Sequence, residues 1–412
     1  MLKNYLKIAF AVLRRRKFFT FISLFGISIT LTILIVLAAF LDKLTSPGYP
    51  DMKRDRSLYI NTIVQENPKA SGMMRGPLSL YFFQHYAGVM KTPENIAVSS
   101  IFTATNTYVN NKKLVINVKY TNGAWWDVLE YDFVEGKPYS LQDIKNAERV
   151  AVISEDVKKQ YFGDAGKVTG KYIETDNVQY RVIGVVKSVP ITSPFIYADL
   201  YLPYTLSKSD YRDRSISGAY TGIVLARDKS DLARIKEEYK QIVAKVPPQN
   251  KDYTILYSHA DTYVESFTRM FSRDQNSSGL GILLAVVAIT VFLLMLLPTI
   301  NLVNINVSRI MERSSEIGVR KAFGASSGTL AMQFIVENII LTLLGGVIGI
   351  IFSYIILSTI NHSSLIPNFT LSINFTVLSY GILACLLFGL LSGVYPAWRM
   401  SRMEVVNALK AS

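Results

Sequence analysis

A short charged segment between two apolar runs holds the side chains best suited to contact a partner protein. On a helix, which turns about 100° per residue, five charged side chains share one face: Arg309, Glu312, Arg313, Glu316 and Arg320. Glu316 precedes Arg320 by one helical turn, which is the favourable order for an ion pair within a helix. A helix face of mixed charge can form ion pairs with another protein. The spacing therefore predicts a docking surface and no catalytic residue.

Signals for helix ends define this segment further. Lys321 lies in the last turn and Gly324 is placed to end the helix. Ser326, Ser327 or Thr329 can then cap the helix that follows. Because the opposite face is apolar, we interpret the segment as a small amphipathic helix at the membrane face. On charge alone, a solvated loop whose basic residues mark the cytoplasmic side of a membrane is favoured over a docking helix. The docking helix is favoured once the spacing of the whole segment is taken into account.

Polar residues within the apolar runs are the next candidates for function. Glu337 lies inside the run that follows the charged segment, where an ionisable group is costly to bury. It either couples movement, reaches the cytoplasmic surface or accepts a hydrogen bond from a neighbouring helix. Asn304, together with Asn301 and Asn306, is suited to hydrogen bonds between helices, with interfacial solvation as the simpler explanation.

Two pairs of glycines mark the later apolar runs. Gly345 and Gly349 form one pair, and Gly389 and Gly393 form the other. Small residues one helical turn apart allow two helices to approach each other closely. We therefore predict helix-packing contacts at all four glycines.

Motifs for catalysis are absent from the sequence. It contains no G-x-x-x-x-G-K-[ST] phosphate-binding loop, no nucleophile elbow, no zinc-binding helix motif and no dinucleotide fingerprint. The single cysteine, Cys385, cannot form a disulfide within the chain, and the three scattered histidines lack metal-ligand spacing. The sequence thus predicts no catalytic, cofactor-binding or metal-binding residue, and the chain itself is not expected to be an enzyme.

Composition indicates a membrane protein with a large soluble part. Hydrophobic residues make up 50% of the chain, and mean hydropathy is +0.25. The net charge of +13 does not indicate nucleic-acid binding, because the basic residues cluster beside apolar runs. Residues 1–17, the charged segment and the C-terminal tail are basic, whereas residues 359–372 contain no Lys or Arg. Both termini and the charged segment are therefore predicted to be cytoplasmic.

The predicted fold is a membrane protein with four transmembrane helices and a large α+β extracytoplasmic domain between helices 1 and 2. The predicted boundaries are an amphipathic interfacial helix at 1–17, transmembrane helix 1 at 18–41, the extracytoplasmic domain at 42–278, transmembrane helix 2 at 279–304, a cytoplasmic connector at 305–328, transmembrane helix 3 at 329–358, an outer loop at 359–372, transmembrane helix 4 at 373–396 and a cytoplasmic tail at 397–412. A cleaved signal peptide is the alternative for the N-terminus, although the first uncharged run is too long for a typical signal core. Pro298 is expected to kink the second helix, and Pro396 to end the fourth.

Strand signals dominate the predicted outer domain. Hairpins are expected at 99–120, around Asn110-Asn111, and at 171–186, around Asp176-Asn177, because asparagine tolerates positive φ in turns. The other predicted elements are a strand at 150–153, a helix from Ser154 to 162, a strand at 220–226, an amphipathic helix at 230–245, a strand at 253–257 and a helix entering the membrane at 261–277. Trp125 and Trp126 are predicted to pack in the core, with a ligand contact as the alternative.

The charged segment resembles the cytoplasmic connector of the FtsX/MacB-like family of ABC-transporter permeases. The similar residues are Asn304, Glu312, Arg313, the run from Glu316 to Ala322, Gly324-Ala325, Gln333-Phe334, Glu337, Gly345-Gly346 and Gly349. Ser315 departs from the family, which usually has a basic residue there. Residues 150–186 resemble the extracytoplasmic core domain of MacB-like permeases. The tail resembles the C-terminal signature of the family, with Val405 in place of a common proline.

The resemblance implies the permease subunit of an ABC-type complex, which transmits ATP-driven motion to its extracytoplasmic domain by mechanotransmission. A separate cytoplasmic ATPase would hydrolyse ATP and contact the connector through Glu312, Arg313, Glu316, Arg320 and Lys321. The other implied partners are a second permease copy, in a homodimer or heterodimer, membrane lipid and, in some relatives, a periplasmic adaptor. The implied location is a bacterial inner membrane, and the implied cargo is a drug, a peptide or a lipoprotein-like molecule.

A signalling or regulatory membrane protein is the alternative function. Its outer domain would bind a peptide or activate a cell-wall hydrolase without transporting anything. The two functions differ in what the outer domain binds and in whether ATP turnover responds to that binding. A purely structural membrane anchor is a weaker third alternative, because a passive anchor needs only positive charge in its connector.

Overall fold

Two compact units make up the chain. The computed structural model describes residues 11, 13–15, 17–70, 72–109, 112–208, 211–249, 251–312, 319, 323, 326–363, 368–373 and 375–401. Unit 1 comprises Met1–Lys43, Ile282–Leu365 and Thr370–Ser412, and unit 2 comprises Leu44–Gly281 and Ile366–Phe369. Unit 2 covers most of the predicted extracytoplasmic domain. The predicted interfacial helix and cytoplasmic tail lie largely outside the described residues.

Long helices flank a segment of the chain in which short helices and strands are mixed. The helices are α1 (Lys17–Thr45), α2 (Leu80–His85), α3 (Trp125–Val128), α4 (Leu141–Lys145), α5 (Glu155–Phe162), α6 (Leu232–Val243), α7 (Tyr263–Arg269), α8 (Leu280–Glu312), α9 (Ser327–His362) and α10 (Phe375–Ser401). The strands are β1 (Ser57–Ile60), β2 (Ile63–Asn67), β3 (Gly72–Gly76), β4 (Asn95–Ser100), β5 (Thr103–Val109), β6 (Lys112–Thr121), β7 (Phe133–Gly136), β8 (Val150–Ser154), β9 (Tyr172–Thr175), β10 (Val178–Val186), β11 (Leu200–Pro203), β12 (Tyr220–Leu225) and β13 (Ile255–Ser258).

Long apolar helices build unit 1. Among the described residues, three segments are long and apolar enough to cross a membrane: Lys17–Thr45, Leu280–Ser308 and Ile335–His362. Helix α10 covers the fourth predicted span. Ile27 and Leu31 of α1 pack in one apolar cluster with Ile350 of α9 and Leu378 of α10. Unit 1 is therefore held together by contacts between helices that are far apart in the sequence.

Several helix ends differ from the predicted boundaries. Helix α8 continues past 304 to Glu312, so the first part of the predicted connector belongs to the same helix as the second predicted span. The expectation that Pro396 ends the last helix is wrong, because α10 continues through it to Ser401. A proline inside a helix removes one backbone hydrogen bond but does not always stop it, and such prolines are tolerated in apolar helices. Ser326 caps α9 by accepting from the Thr329 amide, as predicted.

The central sheet of unit 2 is mixed and has ten strands within the described part of the chain. Eight of them follow the order β1-β12-β4-β6-β11-β8-β10-β7, while β5 pairs with β6 and β9 pairs with β10. A second, three-stranded sheet has the order β13-β2-β3. Strand pairs β6–β11 and β8–β10 are parallel. Together with α2 to α7 these sheets form an α+β fold, as predicted.

Apolar side chains cover both faces of the central sheet, because successive residues of a strand point to opposite faces. Cluster 1 includes Leu58, Val98 and Val224 and packs against α6 through Ile235 and Tyr239. Cluster 2 lies on the opposite face and includes Tyr59, Ala97, Ile223, Trp125, Val152 and Tyr201. Cluster 3 includes Ile116, Val118, Ala151, Ile153 and Leu200. Trp125 is 1% exposed in cluster 2, so its predicted core position is confirmed.

Both predicted hairpins are present in unit 2. Strands β9 and β10 pair across Asp176 and Asn177, which have φ values of 50° and 59°, and β5 pairs with β6. The turn residues Asn110 and Asn111 lie outside the described residues. The first arm of the hairpin predicted at 99–120, residues 99–108, is not one continuous strand. The chain bends at Ile101-Phe102, since β4 pairs with β12 while β5 runs along β6.

The helix predicted at 261–277 is also too long. Helix α7 ends at Arg269 and is capped by Met270. The side chain of Arg269 turns back to bind the carbonyl oxygens of Gln275 and Ser277, at 3.0 and 3.2 Å. These hydrogen bonds hold residues 270–279 in a turn. A helix that continued past Arg269 could not form them.

Candidate functional site

Most of the predicted docking face lies outside the described residues. Glu312 is the last residue of α8, and nothing of its side chain is described. Arg313, Glu316, Arg320 and Lys321 are not described at all. Their contact with an ATPase therefore stays a prediction from the sequence.

Unit 1 contains a line of buried polar side chains, which we call the polar seam: Asn306, Gln333, Glu337, Asn338 and Thr342. Gln333 Nε2 donates to Glu337 Oε1 at 3.2 Å, and Thr342 Oγ1 donates to the Asn338 carbonyl oxygen at 2.9 Å. Asn306 Nδ2 on α8 donates to Asn338 Oδ1 on α9 at 2.9 Å. A buried amide costs free energy unless it is hydrogen-bonded, so this bond fixes one helix against the other.

Of the three asparagines singled out by the sequence, Asn306 is the buried one. Asn301 and Asn304 are exposed, whereas Asn306 is 1% exposed. The structure thus brings Glu337 into the polar seam but leaves Asn304 outside it. All three amides lie on the hydrophobic helix α8. The orientation of α8 about its axis, relative to α9, determines which of them is buried.

The four predicted packing glycines lie at close helix contacts in unit 1. A Cβ atom at Gly345 would come 2.7 Å from Ile27 Cγ2, and one at Gly349 would come 2.9 Å from the Ser28 carbonyl oxygen. A Cβ at Gly393 would come 2.8 Å from Asn338 Nδ2, and one at Gly389 would overlap Thr342 Oγ1. Each distance is shorter than a carbon atom tolerates, so α1, α9 and α10 lie too close for a side chain there.

Unit 2 holds a second buried polar site, near the residues where its main segment begins and ends. We call it the end network: Asp51, Arg54, Tyr59, Asp261 and Arg269. Arg54 Nε donates to Asp51 Oδ2 at 2.8 Å, and the Tyr59 hydroxyl donates to the same oxygen. Arg269 Nη2 donates to Asp261 Oδ1 at 3.0 Å. Tyr59 and Asp261 also exchange backbone hydrogen bonds of 2.7 and 3.0 Å, which join the two ion pairs.

Both arginines of the end network bind backbone next to the apolar helices. Arg54 Nη1 donates to the carbonyl oxygens of Leu44 and Ser46, at 3.3 and 2.8 Å, around the last residue of α1. Arg269 holds the turn that precedes α8 through its bonds to Gln275 and Ser277. The segment that follows α1 and the segment that precedes α8 are therefore both bound to the end network. We call the part of unit 2 that the end network cross-links its base.

Electrostatics favour a neutral Tyr59 hydroxyl and a charged Arg54 guanidinium in this network. Burial and then the Asp51 charge raise the pKa of the Tyr59 hydroxyl well above its usual value, so it remains a donor. Burial, the largest single effect, would lower the pKa of Arg54, but the charge and hydrogen bond of Asp51 together with the neighbouring Tyr59 and Tyr263 raise it overall. The guanidinium also lies 4.0 Å from the centre of the Tyr263 ring. Breaking a buried ion pair that is hydrogen-bonded in this way costs much stability, because one charge is left uncompensated.

Sequence reasoning missed the end network. Its residues are up to about two hundred positions apart, so no local periodicity links them. The capping box of α7, in which Glu265 binds the Thr262 amide at 2.8 Å, is the one local signal near Asp261. Within the described ranges no group of three or more His, Cys, Asp or Glu side chains could hold a metal ion.

Known families match almost the whole chain. The sequence profile of the MacB-like periplasmic core domain matches residues 20–242, and that of the FtsX-like permease C-terminal region matches residues 279–405. This chain belongs to the FtsX/MacB-like family of ABC-transporter permeases. The resemblance seen in the connector and in residues 150–186 is thereby confirmed.

Individual members of the permease family are distant in sequence. The chain is 27% identical over 283 residues to the pyoverdine export ATP-binding/permease protein PvdT of Pseudomonas syringae pv. syringae (strain B728a). The aligned region covers 68% of this chain and 41% of PvdT. It is 24% identical over 293 residues to the uncharacterized ABC transporter permease YknZ of Bacillus subtilis (strain 168), covering 70% of this chain and 68% of YknZ. The chain thus spans about two fifths of the length of PvdT.

A solved structure of one domain also matches. The periplasmic region of MacB from Actinobacillus actinomycetemcomitans is 16% identical, with a TM-score of 0.36, over 53% of this chain and 94% of that region.

Proposed function

We propose that the chain is the membrane permease of an ABC-type complex and transmits ATP-driven motion to unit 2. Helices α1, α8, α9 and α10 would span the membrane, and a second permease copy would complete a homodimer or heterodimer. A separate cytoplasmic ATPase would supply the motion through the connector. The cargo would be a drug, a peptide or a lipoprotein-like molecule, exported from or released outside the inner membrane. A periplasmic adaptor would be a further partner in an export complex.

The end network is the observation that carries this proposal. Arg54 and Arg269 tie the segments adjoining α1 and α8 to paired, buried carboxylates on one base. A rigid base of this kind supports mechanical transmission, because displacement of either segment would move the base and would not be lost in a flexible linker. Family membership adds the ATP-dependent partner that would drive it.

The proposed topology follows from the basic clusters. It places unit 2 outside the cytoplasmic membrane and the end of α8 inside the cell. Single cysteines would test it in a Cys385→Ser background, with Glu148→Cys as the outer position and Met311→Cys as the inner one, both exposed in their units. An impermeant maleimide should label position 148 in intact cells, and position 311 only after the membrane is opened. The reverse pattern would contradict the topology.

Co-purification tests the coupling to an ATPase. The full chain would be isolated in mild detergent from its native membrane, and the proteins bound to it identified by mass spectrometry. Wild type should retain a P-loop ATPase, and Glu316→Arg should lose it, because charge reversal places like charges against the docking surface. Glu148→Arg, the same substitution at an exposed site of unit 2, is the control and should retain the partner.

The outcomes separate the two candidate functions. Undiminished transport and ATPase binding by Glu316→Arg at normal expression would contradict the docking face. If no ATPase is retained by wild type under several gentle conditions, the permease proposal fails. Ligands of residues 43–278 would then be sought for a signalling function.

A further inference from the structure

Unit 2 buries a lysine that has no carboxylate partner among the residues that the structure describes. Lys119 is 1% exposed and lies on β6, on the cluster 2 face of the central sheet. Its Nζ donates to the Phe195 carbonyl oxygen at 2.7 Å and lies 5.6 Å from the centre of the Trp125 ring. Among the described residues this carbonyl is its single hydrogen-bond acceptor, so two of the three ammonium hydrogens have no acceptor there. Such a group is costly to bury unless something else binds it.

The side chain of Lys119 borders a cavity of about 420 Å³. The wall is mainly apolar, and its apolar side chains are those of Pro77, Ile101, Phe102, Pro194, Phe195 and Met270. Its neutral polar residues are Asn61, Thr62 and Thr221. Arg75 is the other basic residue of the wall, and it is exposed and bonded to the Ser272 carbonyl oxygen at 3.3 Å. No acidic residue belongs to this wall among the described residues. An apolar space of this size with one buried cation is the usual form of a small-molecule site.

We propose that this cavity binds a small apolar carboxylate, which forms an ion pair with the Lys119 ammonium group. Two unused donors match the two oxygens of a single carboxylate. The mainly apolar wall favours a ligand with an apolar body, and a cation would meet Lys119 and Arg75. Such a ligand would bury its apolar part against Phe102, Phe195 and Met270. Binding at this site requires neither ATP nor a transport partner, so it can fail or succeed independently of the proposed permease function.

Burial makes the charge of Lys119 responsive to a ligand. Burial, with no contribution from a neighbouring charge, lowers the pKa of Lys119 to about 7. The amine is therefore close to its protonation midpoint in neutral solution, and an ionised carboxylate beside it would favour the ammonium form. Burial imposes a desolvation cost on the unpaired ammonium group. An ion pair with a bound carboxylate would offset this cost.

Equilibrium binding to the full chain in lipid nanodiscs tests the site, with 2-naphthoate as the probe and empty nanodiscs subtracted. At about pH 6.5, where the probe is ionised, wild type should bind 2-naphthoate at least about tenfold more tightly than 2-naphthylmethanol or 2-naphthylmethylammonium. Lys119→Met, which keeps an unbranched side chain, should lower the affinity for 2-naphthoate by about tenfold or more. Lys113→Met makes the same change at an exposed position of the same strand and should leave affinity unchanged.

A second variant tests the cavity without touching Lys119. A Cβ atom at Gly76 would meet no heavy atom within 4 Å, so Gly76→Val fits the strand and extends into open space. This variant should weaken 2-naphthoate binding while the thermal midpoint of the protein is retained. Equal affinity of wild type and folded Lys119→Met for 2-naphthoate, or equal affinity of wild type for the carboxylate and the ammonium probe, would overturn the proposal. If Lys119→Met does not fold, the probe series and Gly76→Val decide the outcome.

Discussion

The polar seam of unit 1 and the end network of unit 2 stabilise their buried polar groups in different ways. The polar seam uses mainly neutral amides and hydroxyls, placed where glycines let the helices approach each other. The end network uses full charges, each arginine paired with a carboxylate and bonded to backbone carbonyls. Neutral hydrogen bonds contribute little each and are easily exchanged, whereas a broken charge pair leaves an uncompensated ion.

This difference suggests different mechanical roles for the two regions. Helices joined by neutral bonds and glycine contacts can shift against one another at modest cost, as a moving membrane bundle requires. A base cross-linked by buried ion pairs would resist deformation and, under the proposed function, would pass displacement on. Lys119 differs from both arginines, because among the described residues it is buried without a counter-ion and its pKa is lowered instead.

Removing one partner of a buried ion pair should have the largest effect. Arg269→Met leaves Asp261 buried and unpaired, with an expected loss of about 3–5 kcal/mol in the stability of unit 2. The apparent thermal midpoint of the full chain in nanodiscs should fall by about 6 °C or more. Arg273→Met changes an exposed arginine nearby and should have little effect. Adding Asp261→Asn to Arg269→Met should recover part of the loss, and an absence of recovery would show that the ion pair is not what stabilises the base.

Neighbouring glycines of α9 offer the next test. Gly345→Ala would place a Cβ 2.7 Å from Ile27 Cγ2, which forces α1 and α9 apart at a cost of about 1–3 kcal/mol. Gly346→Ala meets only Leu31 Cδ2, at an ordinary 3.8 Å, and should be tolerated. Thermal stability of the detergent-solubilised full chain measures the difference. Equal stability of the two variants would mean that α1 and α9 separate freely.

The protonation of Lys119 predicts a pH dependence of stability. Its pKa in the fold is about 7, against about 10.4 for an unfolded lysine, so the unfolded chain binds more protons between these values. The free energy of unfolding should therefore rise with pH across this window, by up to about 1.4 kcal/mol per pH unit, and be lowest below about pH 7. Comparing wild type with Lys119→Met at about pH 7.5 and 8.5 isolates this term. Lys113→Met should keep the wild-type slope, and a wild-type slope in Lys119→Met would be inconsistent with a buried titrating amine.

A single amide of the polar seam should have the smallest effect. Asn306→Ala removes the bond to Asn338 Oδ1 at 2.9 Å and should cost about 0.6–2 kcal/mol. Asn304→Ala changes the exposed amide one half-turn earlier and should be neutral. Thermal midpoints of the two variants in the same nanodiscs give the comparison. A larger loss at Asn304 would place the contact between α8 and α9 elsewhere.

Local patterns in the sequence determined many elements of this protein. Ser154 begins α5 because its hydroxyl accepts from the Val157 amide, and Asp176-Asn177 forms a turn because both residues adopt positive φ. The apolar runs predict the long helices, and the connector spacing together with residues 150–186 indicates the permease family. These features depend on residues close in the chain, so neighbouring side chains and backbone preference are enough to specify them.

Contacts between distant residues decided the rest. Only packing against α9 selects Asn306 over Asn304, and only the Tyr59–Asp261 backbone pairing brings two ion pairs together. Lys119 lies on the strand face that sequence alternation makes polar, and it is buried because Trp125 and Phe195 pack over that face. Burial is a property of the assembled sheet and its coverings, which no single stretch of the chain encodes.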